Sequence, residues 1–149
     1  MKPYEFSLER IRSYKVQVLD KEKKTLGNLK GKRDEIAERL CALESFFNDN
    51  TAQLQKKQCE GVSMGELASL NFLIEHTRNR IELLQYELIK AEEVVEAQRK
   101  VVLTIYQEKT GMDKLEERQV EEYRLLEAKA TESEVMQAIS NGLAKMNPA

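Results

Sequence analysis

The chain has 149 residues, 34% charged, 41% hydrophobic and 6% aromatic, with no tryptophan and a formal net charge of −2. Such a composition, with prolines only at Pro3 and Pro148, excludes an ordinary globular core and points to long helices burying a narrow seam. The near-zero net charge argues against general affinity for nucleic acid or a membrane surface, and the longest apolar run, Leu40 to Leu43, is far short of the ~20 residues of a membrane span.

The N-terminal "MKPYEFSLERIRSYK" carries charges every few residues and no apolar core segment. It does not read as a secretory signal, and a soluble, cytoplasmic chain is expected. A first helix is predicted from about Tyr4 to Gln58. Its seam falls at Leu8, Arg12, Lys15, Leu19, Glu22, Leu26, Leu29, Arg33, Ile36, Leu40, Leu43, Phe47, Asn50 and Leu54. Nine of these fourteen are apolar, and four of the five exceptions precede residue 34. Packing should therefore be tight from Ile36 onward and looser before it, where Gly27 and Gly31 each cost a helix about 1 kcal/mol relative to Ala.

Charge is unevenly spread. Residues 1–33 hold ten Lys/Arg against four Asp/Glu, and residues 113–134 hold four against eight. Two readings are open: solvation and helix dipoles account for it, or the basic end docks on an acidic or ring-shaped partner. Cys41 and Cys59 lie ~27 Å apart along one helix and lack metal-ligand spacing, so two free thiols are expected.

The predicted helix breaks at "EGVSMGEL" (Glu60–Leu67). Ser63 and Glu66 stand in the S-x-x-E relation of a capping box, with Val62 and Leu67 placed as its hydrophobic staple. Gly61 suits the positive φ that ends a helix. One helix should stop near Cys59 and the next start at Ser63, with a connection so short that the two are antiparallel neighbours.

The second helix is predicted from Met64 to about Ser140. Positions 67, 70, 74, 77, 81, 84, 88, 91, 95, 98, 102 and 105 alternate in steps of three and four, and only Thr77 and Gln98 are not apolar. A seven-residue repeat held this long selects a left-handed coiled coil. Antiparallel pairing places Tyr4 near Arg118 in a rod about 80 Å long. Beyond it lies an overhang with Tyr123, Leu125, Leu126, Val135, Met136, Ile139 and Leu143. Gly142 and then Pro148 suit a helix end and a disordered tail over 141–149. The expected fold is all-α: one domain, a long antiparallel two-helix coiled-coil hairpin with a C-terminal helical overhang.

No catalytic constellation is visible, and neither cofactor nor metal is implied. His76 is the only histidine, which removes His-pair metal sites and triads needing a second histidine. Carboxylates on a solvated rod have nothing to shift their pKa values. The Lys56-Lys57 and Lys21–Lys24 runs lack the interleaved aromatics of a single-strand binder. Two apolar clusters lie off the seam. One is the turn end, with Phe46, Phe72, Leu73 and His76 around the seam residue Phe47; it is either a widened seam or a contact patch. The other is the open end, with Phe6, Ile11, Tyr14 and Val18, joined by Tyr123 of the overhang.

The segments "FSLERIRSYKVQVLDKEKKTLGNL" (Phe6–Leu29) and "DKLEERQVEEYR" (Asp113–Arg124) resemble the flagellar export protein FliJ family, as do the length, the single hairpin and the turn position. The resemblance implies a non-enzymatic coiled coil similar to the central stalk of rotary ATPases. Its joined ends would insert into the hexameric ring of the flagellar type III export ATPase, and its hairpin side would contact the membrane export gate protein. Some members of the family bind export chaperones. Carried onto this sequence, the ATPase contacts would be Phe6, Ile11, Arg12, Tyr14, Lys15, Val18, Arg118 and Tyr123. The gate contacts would be Leu43, Phe46, Asn50, Phe72, Leu73 and His76, although Thr77, Arg80 and Leu84 depart from the family's residues on that face. The ending "AKATESEVMQAIS" also departs from the family's acidic one. The implied location is cytoplasmic, peripheral to the inner face of the cell membrane at the flagellar base. Two other readings stand beside this one: a generic coiled-coil scaffold dimerising through its overhang, and a stalk subunit of another secretion or rotary ATPase.

Overall fold

A computed structural model describes residues 2–146. It holds two helices, α1 (Glu9–Glu60) and α2 (Met64–Met146), and no strand among the described residues. The helices pack against each other as an antiparallel hairpin, because each carries one apolar stripe and the three-residue connection leaves the other helix as its only cover.

The connection is built as its sequence dictates. Gly61 has φ +92°, the left-handed conformation that ends α1, and no non-glycine residue among those described adopts positive φ. The Glu66 amide donates to Ser63 Oγ at 3.2 Å and the Leu67 amide to the Ser63 carbonyl at 3.0 Å. These contacts satisfy donors that the first turn of α2 would otherwise leave bare. Val62 and Leu67 are half-buried on either side of the cap.

The helix limits differ from expectation at both outer ends. α1 begins at Glu9 and not near Tyr4. The segment before it takes an irregular path that buries Phe6 and closes on a turn from the Glu9 amide to the Phe6 carbonyl at 3.2 Å. α2 continues to Met146, so residues 141–146 are helical and the end expected at Ser140 is not there. Gly142 weakens a helix by about 1 kcal/mol without stopping it; Pro148, the expected terminator, lies outside the described residues.

The chain divides into two compact units. In the unit of residues 20–103, every seam position named from the sequence is buried or half-buried. Leu40, Ile74, Val95 and Thr77 are its most enclosed residues. The seam's polar exceptions are satisfied: Thr77 Oγ1 donates to the Leu73 carbonyl at 2.8 Å, and Gln98 Nε2 reaches the Glu22 carbonyl at 3.1 Å and the Glu22 carboxylate. Two seam positions that break the apolar pattern on opposite helices thus meet each other. Gly27 and Gly31 sit inside unbroken helix.

The second unit joins residues 2–19 to 104–146. Its buried side chains are Phe6 and Leu19. The pairing rhythm of α2 persists past Ile105 through Lys109, Met112, Glu116, Gln119 and Tyr123, all half-buried, and stops there. From Arg124 to Met146 every residue is exposed.

Candidate functional site

The residues expected to meet an ATPase fall together in the unit of residues 2–19 and 104–146, but they divide into two kinds. Ile11 and Tyr14 are outward, 47% and 66% exposed, and Arg118 is exposed on α2. Phe6, expected exposed and off the seam, is buried, with the Arg12 guanidinium over its ring at 5.0 Å. The irregular lead-in explains this correction, since a helical Phe6 would have pointed off the seam. Val18 is half-buried, and so is Tyr123.

Arg12 and Lys15 are engaged within the chain. Arg12 donates to Glu116 and Glu9 and lies 3.5 Å from Asp113. The bond to Glu116 is the largest cause holding its guanidinium above the ordinary pKa, opposed by partial desolvation. Lys15 Nζ donates to Glu108 at 2.5 Å, and Lys109 pairs with Asp113 at 3.0 Å. The basic N-terminus and acidic later segment therefore neutralise each other here, in part, as seam partners. Both readings of the charge asymmetry placed these groups in solvent or on a partner. Glu108, Asp113 and Glu116 were not singled out, although their spacing opposite Lys15 and Arg12 in an antiparallel register could have shown them.

Tyr4 was missed as well. Its ring meets that of Tyr123 edge-on, with centroids 5.7 Å apart, and Tyr123 Oη donates to the Lys2 carbonyl at 2.5 Å. Tyr4 thus packs on Tyr123, five residues beyond the position opposite it in simple helical pairing. A non-helical lead-in advances ~3.3 Å per residue when extended against 1.5 Å in a helix, so it reaches farther along α2. The Tyr4 hydroxyl oxygen is enclosed without a hydrogen-bond partner. Its pKa is raised, first by desolvation and then by the Glu116 carboxylate.

The six gate candidates all lie in the unit of residues 20–103. Phe72 is 74% exposed and stacks on exposed His76, with rings 4° from parallel and centroids 6.2 Å apart. Phe46 is 44% exposed on α1. Leu43, Asn50 and Leu73 are half-buried, and the Asn50 amide is spent on the Phe46 carbonyl at 2.8 Å. Phe47 is covered in part by Arg78, 5.6 Å above its ring. The patch offers an aromatic surface without catalytic or ligating geometry. Among the described residues no cluster of three or more His, Cys, Asp or Glu could hold a metal, and no helix is long and apolar enough to cross a membrane. Cys41 and Cys59 are free and exposed.

A family model described as Flagellar FliJ protein matches residues 4–135, which takes in α1, the turn, α2 as far as Val135 and every candidate residue above. No curated protein and no solved structure matches the chain.

Proposed function

Because the chain belongs to the FliJ family, whose members are components of flagellar protein export, we propose that it is a stalk joining an export ATPase ring to the export gate. The observation that carries this reading is the open end. There Ile11 and Tyr14 project outward from a unit whose own seam is closed by Phe6, Leu19 and ion pairs. Apolar groups that a folded unit leaves outside its closed seam are suited to a partner's pocket, and a ring lumen would enclose them from several sides. Arg12 and Lys15 support the same end from within, holding the lead-in and α2 together, and Arg118 remains free in position to face a partner.

The exposed Phe72–His76 stack on α2 and exposed Phe46 on α1 are the contacts we assign to the gate, together with the half-buried Leu43, Asn50 and Leu73. Chaperone binding belongs to the same reading. Membrane association would come through the gate and not through the chain itself.

The test is steady-state hydrolysis by the flagellar export ATPase of the same organism, at subunit concentrations where its ring is only partly assembled. Stimulation saturating near one chain per six ATPase subunits is the expected result, and Ile11→Ala with Tyr14→Ala should shift half-saturation upward while leaving helicity unchanged. Absence of stimulation together with absence of co-elution would turn the reading toward a scaffold. Phe6 is not a suitable probe, since it is buried and its truncation would loosen the unit itself.

A further inference from the structure

The lead-in and a longer α1 compete for the same stretch of α2. Carrying the seam of α1 backward from Arg12 and Leu8 by its steps of four and three brings it to Glu5. A helix extended toward the N-terminus would therefore bury Glu5 and turn Phe6 outward. The chain does the reverse: residues 2–8 leave the helix, Phe6 is buried and Glu5 is exposed. One change of backbone exchanges two neighbouring side chains between seam and solvent.

Each arrangement has its own cost. The docked lead-in gains the burial of Phe6 under Arg12 and the Tyr4–Tyr123 contact. Against that, it encloses the Tyr4 hydroxyl without a partner, a state that folded chains rarely leave standing. It also starts α1 at a poor place. Leu8 accepts the first helical bond, from the Arg12 amide at 2.9 Å, and so holds the N-cap position with no side-chain acceptor. An extended helix would add a further turn of backbone bonds, with Pro3 tolerated in its first turn. Its cost is Glu5, which would lose water in a part of the seam that already carries Glu116.

We propose that residues 2–8 are a releasable strap, either docked on α2 or released as an extension of α1 that turns Phe6 outward. In the released form Phe6 joins Arg10 and Tyr14 on one row of four-residue steps, and Tyr4 stands two turns before Ile11. Phe6 and Tyr4 are thereby added to the outward Ile11 and Tyr14. On the reading that this end enters an ATPase ring, on which this consequence rests, the docked strap is an autoinhibitory contact. A partner that binds the released form alone meets an affinity reduced by the released fraction.

Glu5→Leu tests the strap on the free chain. Leucine gives the extended seam an apolar residue and leaves the docked form alone, because residue 5 is exposed there. By NMR, residues 4–8 of the unsubstituted chain should show non-helical Cα shifts and a nuclear Overhauser contact between the Tyr4 and Tyr123 rings. In Glu5→Leu the shifts should become helical and the ring contact should vanish. Residues 4–8 that stay non-helical, or that lose the Tyr123 contact without gaining helix, would overturn the proposal. Its consequence for docking is read separately, as stimulation of the flagellar export ATPase. With about one chain in ten released, Glu5→Leu should lower half-saturation about tenfold, and Phe6→Ala added to it should reverse the gain. A lead-in converted to helix with half-saturation unchanged would overturn the autoinhibitory role. Absence of stimulation by either chain would overturn the ring reading, while the strap stands or falls on the NMR result.

Discussion

The two units close the same kind of helix pair by different means. Residues 20–103 do it with Leu26, Ile36, Leu40, Ile74, Leu84 and Val95, and the polar exceptions there hydrogen-bond internally. Residues 2–19 with 104–123 put Arg12, Lys15, Lys109 and Glu116 in the corresponding seam positions, adding Phe6 and the Tyr4–Tyr123 contact. Apolar burial gains ~25 cal/mol per Å² and is insensitive to moderate salt, whereas partly exposed ion pairs contribute little and are screened. The first unit is therefore the durable one. The second is built to loosen at smaller cost, and it also carries the outward residues assigned to the ring. Regions that engage partners are commonly drawn from the low-stability end of a structure.

The largest expected effect strikes the durable unit. Ile74→Ala deletes most of a side chain that is 7% exposed and should cost about 2–4 kcal/mol, read as a lower urea midpoint. The equivalent truncation of half-buried Leu8 should cost clearly less; equal losses would erase the contrast. Next comes Gly61→Ala. Nothing lies within 4 Å of the added methyl, so its cost is the backbone's alone at φ +92°, about 1–2 kcal/mol. A Gly61→Asn variant should recover part of that loss, since asparagine tolerates this conformation.

Why the first unit was legible and the second was not follows from the same contrast. A heptad of apolar residues names its own partners, so each seam position from Leu19 to Ile105 could be assigned from spacing, and the serine cap and Gly61 follow from local backbone chemistry. The pattern even persists where its chemistry fails, since Arg12, Lys15 and Glu22 hold seam positions and are covered. What spacing does not encode is who neutralises a charge in the seam, and hence Glu108, Asp113 and Glu116 went unnamed. Nor does it encode a non-helical lead-in. Phe6 and Tyr4 were placed by helical geometry that the chain abandons before Glu9, and the end of α2 was set by a glycine where helix continues.

Salt should separate the units. Amide hydrogen exchange in residues 9–19 and 104–120 should accelerate severalfold between low and ~1 M salt, where the screening length falls to about 3 Å. Amides around Leu40, Ile74 and Val95 should respond little. Arg12→Met should reproduce the local acceleration at low salt and remove most of its salt dependence. A uniform response along both helices would mean that the ion pairs contribute nothing distinctive.

The smallest effect concerns Tyr4, and it tests whether the lead-in is held as described. Burial and the nearby Glu116 carboxylate raise its phenol pKa above the ordinary value of about 10. A raised folded pKa means that the contribution to stability is fully present below the unfolded value and is lost as pH climbs through the folded one. The Tyr4 phenol should thus ionise above its ordinary range in an ultraviolet titration, and the lead-in should detach only above pH ~10. Tyr4→Phe removes a hydroxyl that is enclosed without a partner while keeping the ring against Tyr123, so melting should rise slightly and the raised ionisation step should vanish from the titration. Melting that falls on this substitution would mean that the hydroxyl has a partner, a bridging water at Glu116 being the nearest candidate, and the lead-in would then be tied down by a hydrogen bond as well as by Phe6.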